Sequence, residues 1–526
     1  MSTRAERTAP PETPAADTRA IIDMGASALR LVVADVGRDG APRILEEAVR
    51  GVPLGRDTFS RGVIGSSTME SALAALEGFQ AIASGYRAAS FRAVATSAVR
   101  EARNSDTFLD RIRIRTGLEF EVISESEESR LVYLSVREAL RHHASMQAVR
   151  SLIVEVGGGV AGLTLVTVGY PRQSGVYALG AIRMAQELGL ARQAHDQRLA
   201  LLKRHIDNVV GEIRDEIMLR NSEWFIAVGG DARFAASQLV EQDDKGVRVV
   251  TRDAFIAFCD AIESESEERL SERFRLPAVE AETLVPAMMV YRALLTETVA
   301  PLVVVPIASL RSGLLLDLSP DRGMNGRHDL ERQVLASAEA LGRRYRYDEA
   351  HGRAVMRLAV RLFEELRDEH GLGDHERLLL QVAALLHDIG NFVSLRSHHK
   401  HTQYLLSASQ IFGLSDDDLA IVSNVARYHR RALPQKTHLP YIALDRPERT
   451  VVNKLAALLR LANALDAEHL QKVRDLKLRR HDDAWVLHLD GTGDLSMERV
   501  AAQARADMFS EVFGHRMTVR GAGVYS

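Results

Sequence analysis

The sequence predicts an α/β protein built on a duplicated unit, followed by a mostly helical domain and a small C-terminal α+β domain. Three observations carry this. An apolar strand ending in an acid, one residue and glycine occurs twice, as Ile21-Ile22-Asp23-Met24-Gly25 and as Ile153-Val154-Glu155-Val156-Gly157-Gly158-Gly159. Short strands alternate with amphipathic helices as far as about residue 318. Beyond the turn-rich segment 319–326, glycine and β-branched residues thin out and a helical period takes over, until strands return at Arg474. At 526 residues the chain is too long for one core. The expected division is a disordered tail at 1–19, α/β domains at 20–143 and 144–318, a helical domain at 327–472 and an α+β domain at 473–526.

From Ala20 to about Arg38 a run rich in Ile, Leu and Val gives a strand, a tight turn and a returning strand, with Gly37 to Gly40 as the next turn. Ser66 to Ser84 has helical spacing at Met69, Leu73, Leu76 and Phe79, with Ser67 or Thr68 as N-cap. Phe91 to Thr96 reads as a strand running into a helix from Ala98 to Asn104, and Glu119 to Ile123 as a further short strand. Glu127 to His142 is an amphipathic helix that buries Leu131, Leu134, Val136 and Leu140. The second half restarts at Ser151 with two strands around the glycine run, then a long helical region to Arg220. Trp224 to Val228 is a strand ending in Gly229-Gly230. After another helical stretch Leu302 to Ile307 returns to the sheet, and Arg311 to Asp317 is expected to close it. In the last domain Leu476-Lys477-Leu478 and Trp485-Val486-Leu487-His488-Leu489 alternate as strands, and Met497 to Phe513 is helical.

Composition narrows the function classes. With 46% hydrophobic and 26% charged residues and a formal charge of −4, no whole-protein field draws the chain to membrane or nucleic acid, so anion attraction has to be local. The single cysteine, Cys259, excludes an internal disulfide and every thiolate zinc cluster. The first twenty residues lack the apolar core of a secretory signal, and no apolar run approaches the roughly 20 residues of a membrane span. The expected location is the cytoplasm.

An acid and a glycine turn at a strand end form a hairpin whose N–H groups hold a phosphate while the carboxylate holds its metal or water. In Ala95-Thr96-Ser97-Ala98-Val99-Arg100-Glu101-Ala102-Arg103-Asn104, a capped helix start with an arginine one turn in is a second anion site; the plainer reading is a capped helix with a solvated arginine. In Ile123-Ser124-Glu125-Ser126-Glu127-Glu128-Ser129-Arg130-Leu131, acids open a helix, which alone is ordinary dipole complementation. Together with the hairpins and Arg100 they supply a carboxylate able to deprotonate a water that attacks a bound phosphorus.

These segments, with Leu179-Gly180-Ala181-Ile182-Arg183 and Leu310-Arg311-Ser312-Gly313, stand in the order seen in the exopolyphosphatase/guanosine pentaphosphate phosphatase family, which the chain resembles. The likeness continues through Leu385-Leu386-His387-Asp388-Ile389-Gly390, His398-His399-Lys400-His401 and Arg427-Tyr428-His429-Arg430, similar to that family's third domain. The resemblance implies an actin-like (ASKHA, ribonuclease-H-like) domain pair with the active site between its halves. It implies removal by water of the terminal phosphate of polyphosphate or of guanosine pentaphosphate, with polyphosphate or guanosine penta- and tetraphosphate as ligands, and a homodimer. Carried over by position, Glu128 would be the catalytic base; Gly25, Ser27, Ser97, Arg100, Gly157, Gly158 and Gly159 would bind phosphate; Asp23 and Glu155 would face Mg²⁺ or Mn²⁺.

The chain departs from the family pattern on one side. Where the family continues Ser-Asn-Ser after the first glycine, here stand Ala26-Ser27-Ala28, and Glu125 replaces a glycine. The second-loop aspartate is Glu155, one methylene or about 1.5 Å longer. The Ser-Thr-Glu after the three glycines is Val160-Ala161-Gly162, and Glu280-Ala281-Glu282 stands in place of Arg-Ala-Asp. These changes predict that metal-assisted hydrolysis is weakened more than phosphate binding. A catalytically weakened paralogue that binds polyphosphate or an alarmone as a regulator is therefore the alternative.

The helical domain offers a second chemistry. His351, His387-Asp388 and Asp466 have the order and spacing of metal-dependent HD phosphohydrolases, to which this family's third domain is similar, and His401 and His429 would complete a two-metal set. The plainer reading is a surface His351 and an Asp466 that caps or pairs locally. His398 to His401 with Lys400, Arg427 to Arg431, Lys436, Arg446 and Lys454 would line a groove for a long polyanion, or else lie on solvated helix faces.

Overall fold

The computed structural model describes residues 18–36, 42–143, 149–190, 193–243, 246–318, 323–430, 432–481 and 484–521. The expected tail, the Gly37 to Gly40 turn, residues 319–322 of the linker and Arg431 lie outside them or almost wholly so. The described chain forms two compact units, one of residues up to His328 apart from 171–173, the other of 171–173 and the chain from Asp329.

The first unit holds two sheets with the same plan. In the first, β1 (Thr18–Met24), β2 (Ala28–Asp35) and β3 (Arg43–Gly51) form an antiparallel meander, and β4 (Ser90–Ala95) and β5 (Phe120–Val122) extend it parallel to β1, in the order β3-β2-β1-β4-β5. In the second, β6 (Arg150–Val156), β7 (Ala161–Thr167) and β8 (Tyr170–Tyr177) repeat the meander. There β9 (Trp224–Val228) and β11 (Leu302–Pro306) run parallel to β6, and β10 (Val247–Thr251) pairs antiparallel at the edge. Each sheet packs helices over its own apolar cluster. This is the duplicated α/β architecture expected.

Several elements differ from expectation. Strands β3, β8 and β10 were not predicted. β3 is largely exposed, and β8, at the edge, carries Pro171 and Gly175, which an edge tolerates and a central strand does not. The helix at Ser66–Gly85 starts from Gly65, not from a Ser67 or Thr68 cap. The helix expected over Ala98 to Asn104 is one turn, Ser97–Arg100, followed by a separate helix Ser105–Thr116. Asn104 stands at the start of the second helix, its side-chain amide accepting from Ile64 N and donating to Ile64 O, each at 2.9 Å. Arg311 to Asp317, expected to close the sheet, is helical (Leu310–Asp317). Ser309 Oγ caps that helix at Ser312 N (3.2 Å), and Gly313 lets it cross the helix Glu125–Ala139, since a Cβ there would stand 2.0 Å from Leu131 O.

In the second unit, the helix Gly323–Arg344 from Asp329 on and the helices Glu349–Glu365, Asp374–Leu386, His398–Ser407, Asp416–Arg427 and Arg446–Ala464 surround one core. β12 (Val473–His481), β13 (Ala484–Gly491) and β14 (Arg516–Gly521) form a three-stranded sheet, β14 lying parallel to β13 and unpredicted. Among the described residues from Val473 on, Val473, Leu487 and Phe509 belong to the same apolar cluster as the helices. No helix among the described residues is long and apolar enough to cross a membrane.

Candidate active site

The two acid-x-glycine hairpins face each other across a cleft of about 360 Å³ in the first unit. Gly25 N donates to Ala28 O (3.1 Å) and Gly157 N to Val160 O (2.9 Å), so these two N–H groups close the turns. The next N–H groups, at Ala26, Ser27, Gly158 and Gly159, make no hydrogen bond within the described structure and are the ones left for an anion. Space dictates glycine in the second loop. A Cβ on Gly158 would stand 3.2 Å from that of Ala26, and one on Gly159 would stand 2.2 Å from Ser97 Oγ. Gly180 approaches closer still, 2.1 Å from the Gly159 carbonyl carbon to its would-be Cβ. Behind the loop, buried Arg183 donates to Gly159 O (2.5 Å) and lies over the Phe59 ring, fixing the loop's far side.

Of the three acids that open the helix Glu125–Ala139, the fold gives each a different task. Ser124 Oγ caps the helix at Glu127 N (3.2 Å). Glu127 commits both oxygens to Arg130 (2.6 and 2.8 Å), which also reaches Asp317 (2.9 Å), a buried network that orients this turn. Glu125 Oε1 lies 3.5 Å from Arg100. Glu128 faces the cleft, and its Oε2, buried and without a hydrogen bond, stands 3.7 Å from Arg100. Burial pushes the Glu128 carboxyl up to about 7; Arg100 opposes the shift, while Asp23 and Glu125 add to it.

Arg100, expected as a phosphate ligand, lies behind Glu128 and not on the cleft wall; it donates to Ile123 O (2.8 Å) and ties β5 to the helix start. Ser97, which lines the cleft, opens a helix of only four residues and packs against Gly159. The cations that line the cleft are ones the sequence reading missed or left unassigned: Arg30, Arg233 and Arg311. Arg311 donates to Asp23 Oδ2 (3.1 Å), and Arg30, which pairs directly across β1 and β2 with Asp23, lies 4.0 Å from the same oxygen. The hairpin register carried a usable signal for Arg30, because in a tight acid-x-glycine hairpin the residue opposite the acid shares its face. No comparable signal marks Arg233.

Glu155 sits opposite Gly162, whose missing side chain would meet nothing nearer than Ser129 Oγ at 4.0 Å. Burial, then Glu128 and Asp23, push the Glu155 carboxyl up to about 8. Burial and Glu280 raise Asp231, on the same wall, to about 6. Asp23, Glu128 and Glu155 thus crowd three carboxyls onto one cleft, where burial and mutual repulsion favour the neutral forms of Glu128 and Glu155. Carboxylate oxygens are the donors a divalent cation takes, but these three are not gathered within 4.8 Å of one another as the histidine groups of the second unit are.

In the second unit the expected HD-like residues come together, with one exchange. His351, expected at the surface on the plainer reading, is buried and its Nδ1 meets Asp466 Oδ2 at 2.8 Å. His387 and Asp388 lie beside this pair. His429 joins them, but the partner from the helix His398–Ser407 is His398 rather than His401. His398 and His429 therefore serve no exposed polyanion groove.

The chain matches the Ppx/GppA phosphatase family over residues 32–322 and that family's domain III over residues 334–497. The guanosine-5'-triphosphate,3'-diphosphate pyrophosphatase of Vibrio vulnificus is 24% identical over 430 residues, covering 80% of this chain and 82% of its own. Exopolyphosphatase 1 of Mycobacterium leprae is 28% identical over 306 residues, covering 56% and 88%. A crystal structure of an exopolyphosphatase from Cytophaga hutchinsonii shares the fold, with a TM-score of 0.52 at 21% identity over 58% of this chain and 98% of that one.

Proposed function

The chain belongs to the Ppx/GppA phosphatase family, and from that premise we propose that its actin-like pair removes the terminal phosphate of inorganic polyphosphate or of guanosine pentaphosphate, with Glu128 as general base. It is a phosphoanhydride hydrolase. The observation that supports this assignment of the site is the position of Glu128: a buried carboxyl raised to about 7, on the wall of a cleft bounded by two glycine loops with unused N–H groups.

In this reading the N–H groups of Ala26, Ser27, Gly158 and Gly159 hold the terminal phosphoryl oxygens. Arg30, Arg233 and Arg311 balance the chain's negative charge. Glu128 takes the proton of the attacking water, and Arg100 is a positioning residue that sets the direction and basicity of Glu128. Mg²⁺ or Mn²⁺, held by Asp23 and Glu155, would supply charge that stabilises the leaving oxygen. The residues lost from the metal side of the family pattern are offset by arginine. A regulator without turnover is not favoured, because the base, the loops and the cations all converge on one cleft.

Phosphate release from polyphosphate and from guanosine pentaphosphate, after chelation and with Mg²⁺ or Mn²⁺ restored, tests the reading. The wild type should be silent when chelated, active when restored, and reduced at least 100-fold in Glu128→Ala. Release that survives Glu128→Ala unchanged contradicts it.

A further inference from the structure

The cluster around Asp388 in the helical unit has no part in the mechanism above. Three imidazoles turn the same atom towards Asp388 Oδ1: His398 Nε2 at 3.3 Å, His429 Nε2 at 3.4 Å and His387 Nε2 at 3.8 Å. In each ring the other nitrogen faces a backbone carbonyl, His387 Nδ1 with Ala384 O (2.7 Å), His398 Nδ1 with Leu395 O (3.2 Å) and His429 Nδ1 with Ala426 O (2.6 Å). A carbonyl can only accept, so Nδ1 carries the proton and Nε2 presents a bare lone pair.

With the imidazoles neutral, the result is a buried group of acceptors that only a proton or a metal ion can reconcile. His398 Nε2 and His429 Nε2 lie 3.2 Å apart, lone pair to lone pair, beside a carboxylate oxygen. His387 Nε2 and Asp388 Oδ1 are buried and make no hydrogen bond. Such a group repels itself unless a cation stands among its members. The spacing suits one: ligands about 2.05 Å from a tetrahedral centre lie about 3.3 Å from each other, against the observed 3.2, 3.3 and 3.4 Å. A second triad, His351, His469 and Asp388, shares the carboxylate, but both ring nitrogens of His351 are already engaged, by Asp466 and Asn463.

We propose that Asp388, His398 and His429, with His387 at the margin, hold a divalent transition-metal ion, and that the ion binds a phosphoryl group. Imidazole donors select Zn²⁺, Co²⁺, Fe²⁺ or Mn²⁺ over Mg²⁺. Three protein ligands leave a position open, and the cluster floors a cavity of about 220 Å³ also lined by Arg430, Arg460 and Arg505. Arg460 is already committed to the Tyr428 and Arg430 carbonyls and to Asp507, and Arg430 and Arg505 bring positive charge beside the open metal position that suits the oxygens of a phosphate.

Full-length protein stripped with chelator and dialysed against Co²⁺ tests this, because the cleft of the first unit offers the ion only oxygen donors. The wild type should retain Co²⁺ with nitrogen ligation visible in its absorption and electron-paramagnetic spectra, and inorganic phosphate should shift that spectrum. Asp388→Asn and His429→Gln should lose the nitrogen-ligated ion, while His401→Gln and Glu128→Ala keep it. If the two cluster variants fail to fold by circular dichroism, the wild-type spectrum decides alone: cobalt held only by oxygen, or not retained, overturns the site. A spectrum that phosphate leaves unchanged overturns the phosphoryl part.

Discussion

Glutamine in place of Glu128 removes at one stroke the proposed proton acceptor and the cost of burying it, and the two effects separate with pH. The carboxyl stands at about 7 in the fold against 4.5 as its ordinary value. At about 1.4 kcal/mol per unit the full shift corresponds to about 3 kcal/mol, and because the side chain is 19% exposed the expected effect is about 1 to 3 kcal/mol. Between 4.5 and 7 the native state keeps a proton that the unfolded chain has released. Stability from this group is therefore whole below about 4.5 and is lost as pH rises to about 7. Glu128→Gln should then melt a few degrees above the wild type at pH 8 in chelator and level with it near pH 4.5. Its phosphate release should fall at least 100-fold, while the wild-type rate climbs with pH through about 7 as the base ionises. Scanning calorimetry at the two pH values and a pH–rate profile are the assays. A melting difference that does not change with pH, or a glutamine variant that keeps its rate, refutes the reasoning.

Gly159→Ala should cost about 1 to 3 kcal/mol and most of the activity, because its Cβ would press on Ser97 Oγ and Phe59; Gly162→Ala, with 4.0 Å of clearance, should be close to neutral in stability, and chemical denaturation of both distinguishes space from chance. Arg311→Ala should raise KM for polyphosphate several-fold more than it lowers kcat, since Arg311 lines the cleft beside Asp23, and steady-state kinetics at two ionic strengths should show the wild-type salt dependence diminished.

Much of the first unit was legible because its two hairpins carry their chemistry in sequence: an acid two residues before a glycine at a strand end. The central strand Trp224–Val228 was legible for its continuous apolar run. The edge strands were not, since β3 and β8 bury little and lack a clear apolar alternation, β8 falling in the stretch expected to be helical. Within the site, sequence marks a run of acids but cannot rank them. Glu127 is claimed by Arg130 from the same helix and by the Asp317 network, while Glu128, one residue on, turns to the cleft. Arg100 was placed on the phosphate by the family resemblance and by a helix start beside an arginine; the helix is one turn long, and the arginine lies 3.7 Å from Glu128, off the cleft wall. The exchange of His401 for His398 has a similar origin, as residues three apart on a helix differ in burial only once its neighbours are known.

The central claim is that turnover belongs to the cleft of the first unit. Initial rates of phosphate release from long-chain polyphosphate with Mg²⁺, for wild type, Glu128→Ala and His387→Ala in parallel, test it most directly. The account predicts loss in Glu128→Ala and a rate within a few-fold of wild type in His387→Ala. Loss confined to His387→Ala would contradict it and move the chemistry to the histidine cluster.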